Sequence, residues 1–202
     1  MYTQNGNQSK VDVFQQRNVL VTAQLQPDGS AHVTQQLTAA NATPADRPEG
    51  PPERIGYETS WLKAAYIMYV PPKAEHYAVT YPQGFAVRPF RNHPQLGGGW
   101  ADDGFGNRFI RVVGWTKPQG QAVLSISYDM PAGTFIGPGG ELDYTLRALP
   151  QSLWNPATLT VQVTAPSGYA PTPQDGMKVN GSTAIVSAVQ TGPVDVALTF
   201  RR

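Results

Sequence analysis

Two tryptophans and two aspartates are the residues best suited to bind a ligand. Trp100 follows three glycines and precedes Asp102 and Asp103, while Trp154 lies in a loop bounded by prolines. An indole offers an apolar face and one N–H donor, which suits stacking on a sugar ring. Carbohydrate binding at Trp100, Asp102, Asp103 and Trp154 is therefore one hypothesis. Packing in the core or at an interface is the interpretation that we favour for the four tryptophans as a group, Trp61 and Trp115 included, and Trp154 is equally compatible with capping the second unit.

The segment Asp102–Gly104, with Asn107, has some features of a calcium-binding loop. Ca²⁺ takes oxygen ligands from a loop that glycine bends sharply. The alternating acidic spacing and the distal glutamate of such loops are missing, however. Because Asp, Asn and Gly are also the residues that tight turns favour, we interpret this segment as a turn and predict no metal site.

Catalytic residue types occur in the chain, but not in catalytic patterns. His32, His76 and His93 have no partner at the spacing of a metal site. No serine stands in a G-x-S-x-G sequence, and a chain without cysteine has no thiol nucleophile. The Gly-rich run before Trp100 lacks the Lys-Ser/Thr pair of a phosphate-binding loop. We predict a protein that is not an enzyme and that holds no cofactor.

Composition narrows the class of protein further. The chain has 202 residues, of which 14% are charged, and a formal net charge of +1. This balance gives no electrostatic reason to expect nucleic acid as a partner. No apolar run approaches the roughly 20 residues of a membrane-spanning helix. The low charge, together with 20 glycines and 19 prolines, is typical of an all-β protein with many turns.

Alternation of apolar and polar residues predicts strands along most of the chain. Its clearest case is 120–131, where one face carries Ala122, Leu124, Ile126 and Tyr128. A hairpin is predicted around the turn Pro27–Gly29 and another around Asn180-Gly181. The stretch 57–70 is compatible with a helix or a strand, and the prolines that follow favour a strand. The Gly-rich stretch 91–106 is predicted to be a loop or a flexible hairpin tip.

A proline- and glycine-rich break divides the chain into two parts. We predict two immunoglobulin-like or related β-sandwich units with mostly antiparallel strands. The first spans 11–133, a Gly/Pro hinge spans 134–140, and a smaller second unit spans 141–202. Residues 1–10 are polar, and we expect them to be disordered or foreign to the natural chain.

Four stretches, taken in order, resemble a bacterial cell-surface family of unknown function. The resemblance rests on weak turn patterns that together cover nearly the whole chain. They are Ser9–Asp12 with Asp28-Gly29 and Asn41–Pro44; Tyr69–Pro72; Gly114-Trp115 with Pro118–Gly120 and Tyr128–Pro131; and Leu142–Leu146 with Gln151, Pro156–Val163 and Pro166–Gly168.

The members of that family are mainly actinobacterial, are anchored in the membrane and are often encoded near polysaccharide-biosynthesis genes. The resemblance implies that this chain is the C-terminal, extracellular part of such a protein. Any membrane anchor would then lie outside this chain. The resemblance implies no catalytic residues.

These observations favour a non-catalytic extracellular module of a bacterial envelope protein. It would act as a structural spacer or as a platform for another envelope protein, because rigid sheets present loops well. The first alternative is a carbohydrate-binding module that recognises cell-surface polysaccharide. The second is an accessory domain of an envelope enzyme.

Overall fold

The computed structural model describes residues 1–5, 11–47, 59–90, 93–151 and 153–202, without the side chain of Tyr2. A short 3-10 helix, Val11–Phe14, is the one helical element among the described residues. The strands, in chain order, are β1 (Tyr2–Asn5), β2 (Gln15–Leu25), β3 (Ala31–Asn41), β4 (Leu62–Val70), β5 (Glu75–Thr80), β6 (Ala86–Val87), β7 (Gln95–Gly97), β8 (Trp100–Asp102), β9 (Arg108–Thr116), β10 (Gln121–Met130), β11 (Leu142–Ala148), β12 (Thr158–Thr164), β13 (Ala170–Pro171), β14 (Met177–Asn180), β15 (Thr183–Val189) and β16 (Val194–Arg201).

The predicted all-β fold, with mostly antiparallel strands, is confirmed. A central sheet has seven strands in the order β14-β15-β12-β2-β3-β10-β5. A second sheet joins β1, β4, β9, β8 and β7 in a row, with β6 also paired to β9, and a third has the order β11-β16-β13. The pairing of β12 with β2 is parallel, whereas the other pairings between these strands are antiparallel.

One face of the central sheet is buried under the two other sheets. On β2 and β12 the inward residues stand opposite each other in register, as Val21 and Val161 do. Both side chains belong to one apolar core that also contains Tyr66 of the second sheet and Phe200 of the third. The alternation seen in the sequence is therefore that of a sheet with one covered face and one open face.

The central sheet is built from strands of both predicted units. Strands β12, β15 and β14 come from the predicted second unit, yet they extend the sheet begun by β2, β3 and β10. The parallel pairing runs from Thr158 beside Asn18 to Thr164 beside Gln24. Alternation within a strand shows which residues face the core, but it does not show which strands are neighbours. This is why the sequence suggested a boundary that the sheet crosses.

The segment 134–140 is bonded to the strands on both sides, which differs from the predicted hinge. The backbone N–H of Phe135 donates to the carbonyl of Gly29 at 3.0 Å, and Asp143 donates to the carbonyl of Phe135 at 2.8 Å. The ring of Phe135 also stacks on Tyr144. Gly29 has a φ of +74°, and a Cβ there would lie 2.6 Å from Ile136. These contacts hold the segment against the β2–β3 turn.

Two further expectations concern chain segments rich in polar residues or glycine, and of these the predicted disorder at the N-terminus is corrected for residues 2–5, whereas a hairpin is present within 91–106. Tyr2–Asn5 forms strand β1, which pairs with β4, so this part of the predicted disordered segment is ordered by backbone hydrogen bonds. Residues 6–10 lie outside the described residues. Within 91–106 the structure has the strand pair β7 and β8, joined at Gly98 and Gly99. Among the described residues, no helix is long and apolar enough to cross a membrane.

Candidate functional site

Trp100 is a core residue, which corrects the prediction that its ring is open to a ligand. It lies on β8 with 9% of its surface exposed and belongs to the main apolar core. Its ring packs edge-on against Tyr77 of the central sheet, with 4.4 Å between ring centres. The indole therefore helps to join two sheets, and it has no free face for stacking on a sugar.

Asp102 and Asp103 bond to the backbone of their own turn. The Asp102 carboxylate accepts a hydrogen bond from the N–H of Gly104 at 2.7 Å. The Asp103 carboxylate accepts from the N–H of Phe105 at 2.8 Å and from both the N–H and the side chain of Asn107. Burial is the largest single influence on the pKa of Asp103 and raises it, but the hydrogen bonds from Asn107 and Phe105 together outweigh burial and lower the pKa. The turn interpretation thus accounts for both carboxylates.

Trp154 has the exposed ring that the sequence suggested. Its side chain is 81% exposed, in the loop between β11 and β12. Beside it is a surface pocket of about 260 Å³, lined by Pro150, Gln151, Leu153, Pro156, Gln190 and Thr191. The structure does not place Trp154 with the other predicted site residues, because Trp100 to Asp103 lie on the second sheet and its turn. Of the two tryptophans, Trp154 alone has an exposed ring.

Two exposed aliphatic residues that the sequence did not single out adjoin lining residues of this pocket along the chain. Leu149 is 70% exposed and Val189 is 55% exposed. Leu149 directly precedes Pro150, and Val189 directly precedes Gln190. We call Leu149, Trp154 and Val189 the apolar rim. Exposed large apolar residues that form a patch are typical of binding surfaces.

A buried arginine holds the loop that carries Trp154. Arg17 on β2 donates from Nη1 to Oε1 of Gln151 at 2.7 Å and from Nη2 to the carbonyl of Asn155 at 3.2 Å. Asn155 in turn donates from Nδ2 to the carbonyls of Val13 and Gln15. The two residues that flank Trp154 in this loop are thus fastened to β2 and to the segment before it.

The charge of Arg17 is buried without a carboxylate partner among the described residues. Its side chain is 6% exposed, and its Nε atom has no hydrogen-bond partner. Burial lowers the pKa of the guanidinium, because a low-dielectric setting disfavours the charged form. Burying a charged side chain costs free energy, and the hydrogen bonds from Arg17 to the loop offset part of that cost.

The amide of Gln151 is directed away from the pocket that this residue lines. Its Oε1 accepts from the backbone N–H of Thr3 at 2.8 Å as well as from Arg17, and its Nε2 donates to the carbonyl of Thr3. The remaining lining residues are uncharged, and three of them are Pro150, Leu153 and Pro156. The pocket is therefore uncharged and combines the apolar surfaces of these three residues with the polar groups of Gln190 and Thr191.

The structure brings two histidines to one aspartate, which the sequence spacing did not reveal. Asp129 on β10 bonds to Nδ1 of His32 at 2.7 Å and to Nδ1 of His76 at 3.2 Å. Hydrogen bonds to His32 and then to His76 lower the pKa of this carboxyl. All three side chains are exposed to solvent. Within the described ranges, no group of three or more His, Cys, Asp or Glu residues is arranged to hold a metal ion.

Comparison with known proteins gives likenesses at the level of structure only. No protein-family model matches the chain, and no curated protein matches it. The chain is similar to a solved protein of Legionella pneumophila subsp. pneumophila str. Philadelphia 1, described as a candidate nutrient-binding protein. The match has 10% identity and a TM-score of 0.49, and it covers 98% of this chain and 69% of that chain. A likeness of this degree says nothing about what the present chain binds.

Proposed function

We propose that this chain is a non-catalytic binding module of the bacterial cell surface, which docks another envelope protein through the apolar rim. The exposure of Trp154, 81% of its surface beside an uncharged pocket, is the observation that carries the proposal. Tryptophan is among the residues that contribute most to protein–protein binding, especially beside a pocket that excludes water. The module would present the loop rigidly, because Arg17 fixes both of its ends.

The chemistry of the rim favours a protein partner over a sugar at this position. Leu149 and Val189 are branched side chains without the flat face on which a sugar ring stacks. The lining residues Gln190 and Thr191 are polar but uncharged, whereas the amide of Gln151 is already bonded to Thr3 and Arg17. A protein segment suits such a lining, because its backbone can hydrogen-bond to the polar groups while an apolar side chain packs against Leu153 and the prolines.

The location at a bacterial surface rests on the sequence resemblance described above. A spacer or platform role is compatible with it, because three stacked sheets would keep the rim at a fixed position. The non-catalytic role is supported by the placement of the histidines. Among the described residues, no serine or threonine hydroxyl is hydrogen-bonded to His32 or His76, as a hydroxyl nucleophile would require.

Affinity capture from envelope extracts of bacteria that encode the chain tests this function. The wild-type chain, Trp154→Ala and Phe105→Ala would be used as baits. Phe105 is the matched control, because its ring is 89% exposed but lies on the turn after β8. We expect at least one envelope protein whose enrichment falls more than ten-fold with Trp154→Ala and is kept with Phe105→Ala. No protein with that dependence would refute the proposal.

A further inference from the structure

The open face of the central sheet is almost free of charge over its five inner strands, whereas Lys178 and Glu75 stand on the two edge strands. On β15, β12, β2, β3 and β10, all of whose residues are described, Asp129 is the one outward-facing residue with a formal charge. Hydroxyl and amide side chains predominate instead. One row across the five strands shows this, with the order Ile185, Gln162, Thr22, Thr34 and Ser127.

The scarcity of charged residues on this face does not follow from the low charged fraction of the chain, because another sheet face carries several charges. The open face of the three-stranded sheet carries four charged side chains on only two strands, namely Asp143, Arg147, Asp195 and Arg201. Arg147 and Asp195 form an exposed ion pair at 3.6 Å. A sheet face that only meets water normally carries such charges for solubility. The central sheet lacks them over a much larger area.

We propose that this face binds an uncharged polysaccharide. The proposal does not rest on the apolar rim, although Val189 of the rim also stands at one end of this face, beside Thr158. A neutral polymer covers hydroxyl and amide side chains at little cost, because its own hydroxyls replace the water that they lose. Covering lysine or glutamate with such a polymer would leave charges without solvent or partner, and this is strongly unfavourable. The face is thus complementary in charge to a neutral, hydroxyl-rich ligand.

The geometry of the face indicates a polymer, not a single sugar. Five strands at about 4.8 Å spacing make a face about 19 Å wide. Along each strand the outward residues recur about every 6.8 Å. Leu20 and Ile185 lie among the polar groups and would contact the C–H faces of sugar rings. Such a surface makes many weak, repeated contacts and has no deep subsite.

The side chains at the centre of the face are available for these contacts. On the three strands β15, β12 and β2, the hydrogen bonds between outward side chains are Thr160 to Ser187, at 3.1 Å, and Thr164 to Thr183, at 2.9 Å. Thr22, Thr34 and Ser127 make no side-chain hydrogen bond to another described residue. Thr34 lies on β3, with a neighbouring strand on each side, so a substitution there alters the middle of the face.

Affinity electrophoresis tests the proposal with native gels containing dextran, galactomannan, yeast mannan or the polyanion alginate. We expect at least one neutral polymer to retard the wild-type chain, and Thr34→Lys to weaken that binding at least ten-fold. Thr145→Lys is the matched control, because Thr145 is an exposed strand residue on the open face of the three-stranded sheet. It should bind as the wild type does, and so should Trp154→Ala.

If Thr34→Lys does not fold, Ser127→Lys is used in its place. Thermal unfolding of each variant shows whether it is folded. The proposal is overturned if no neutral polymer in the panel retards the wild type or if alginate retards it most. It is also overturned if the folded face variants bind unchanged or if Thr145→Lys weakens binding equally. Sedimentation that shows a wild-type dimer, abolished by Thr34→Lys, would assign the face to a second copy of the chain instead.

Discussion

The Nη1 atom of Arg17 lies 2.7 Å from Oε1 of Gln151, and this hydrogen bond links the central sheet to the loop that carries Trp154. The same guanidinium reaches the carbonyl of Asn155, on the other side of the tryptophan. A residue buried in the sheet thus sets the position of the most exposed tryptophan among those described.

Replacing this arginine should loosen the loop more than it destabilises the fold. Arg17→Met removes both hydrogen bonds but also removes a buried charge, and exchanging buried ionic groups for apolar ones is often nearly neutral for stability. We expect hydrogen exchange at 153–155 to accelerate at least ten-fold, with a small change in Tm. Arg147→Met is the control, because Arg147 is exposed. Unchanged exchange in Arg17→Met would show that Arg17 does not position the loop.

Truncation to alanine should lower the free energy of unfolding strongly at Trp100 and hardly at all at Trp154. Trp100→Ala removes a buried ring that packs on Tyr77 and should lower the free energy of unfolding by about 3–5 kcal/mol. Trp154→Ala removes an exposed ring and should change it by less than about 0.5 kcal/mol. Urea denaturation measures both values. A large loss of stability in Trp154→Ala would place this residue in the core and remove the basis for the rim.

Stability should fall at alkaline pH because of buried tyrosines. Burial raises the pKa of Tyr66 from 10.0 to about 12, and the nearby hydroxyl of Thr116 offsets part of this shift. Burial also raises the pKa of Tyr144, to which a charge on Tyr128 adds. Because the folded chain holds these protons more tightly than the unfolded chain, the stabilisation is complete below pH 10 and is lost as pH rises towards 12.

Tyr66→Phe tests the contribution of this one phenol. Its hydroxyl is buried without a hydrogen-bond partner, so at pH 7 the variant should be as stable as the wild type or slightly more stable. Its stability should also fall less steeply above pH 10, by roughly 2–3 kcal/mol in total. Urea midpoints measured across this pH range provide the comparison. If the urea midpoints of the two proteins fell equally with pH, the pKa of Tyr66 would not be raised by burial.

The shared sheet predicts that the two halves of the chain depend on each other. Expressed alone, 141–202 would leave β12 without β2, exposing the edge on which Val161 faces Val21. We expect this fragment to be unfolded by circular dichroism, while the full chain unfolds in one transition. A fragment with a cooperative transition of its own would restore the two independent sandwiches that the sequence suggested.

Single strands and hairpins could be predicted from the sequence, because alternating residues and turn residues determine them locally. The strand 121–130 and the hairpins at Pro27–Gly29 and Asn180-Gly181 are present, because alternation and turn residues act over short distances. The parallel pairing of β12 with β2 was not predictable in this way. It joins residues about 140 positions apart and depends on how separate strands share a core.

The candidate site was predictable in part for the same reason. Trp154 stands in a loop bounded by prolines, a setting that allowed either ligand binding or packing, and its ring is exposed. Trp100 follows three glycines, which also suggested a loop. Two of these glycines form the β7–β8 turn, and the ring of Trp100 packs against Tyr77. The role of Arg17 had no local signal, since a charged residue in an alternating strand is expected to face water. Its partners, Gln151 and Asn155, come from the distant loop.

The measurement that most directly tests the central claim is binding of a purified envelope partner to Trp154→Ala, compared with Phe105→Ala. The partner would be the protein identified by the affinity capture, and isothermal calorimetry would give each Kd. The apolar rim predicts a Kd at least ten-fold weaker for Trp154→Ala, because loss of a buried tryptophan at an interface costs more than about 1.4 kcal/mol. Phe105→Ala should match the wild type. Equal binding by Trp154→Ala and the wild type would contradict the account.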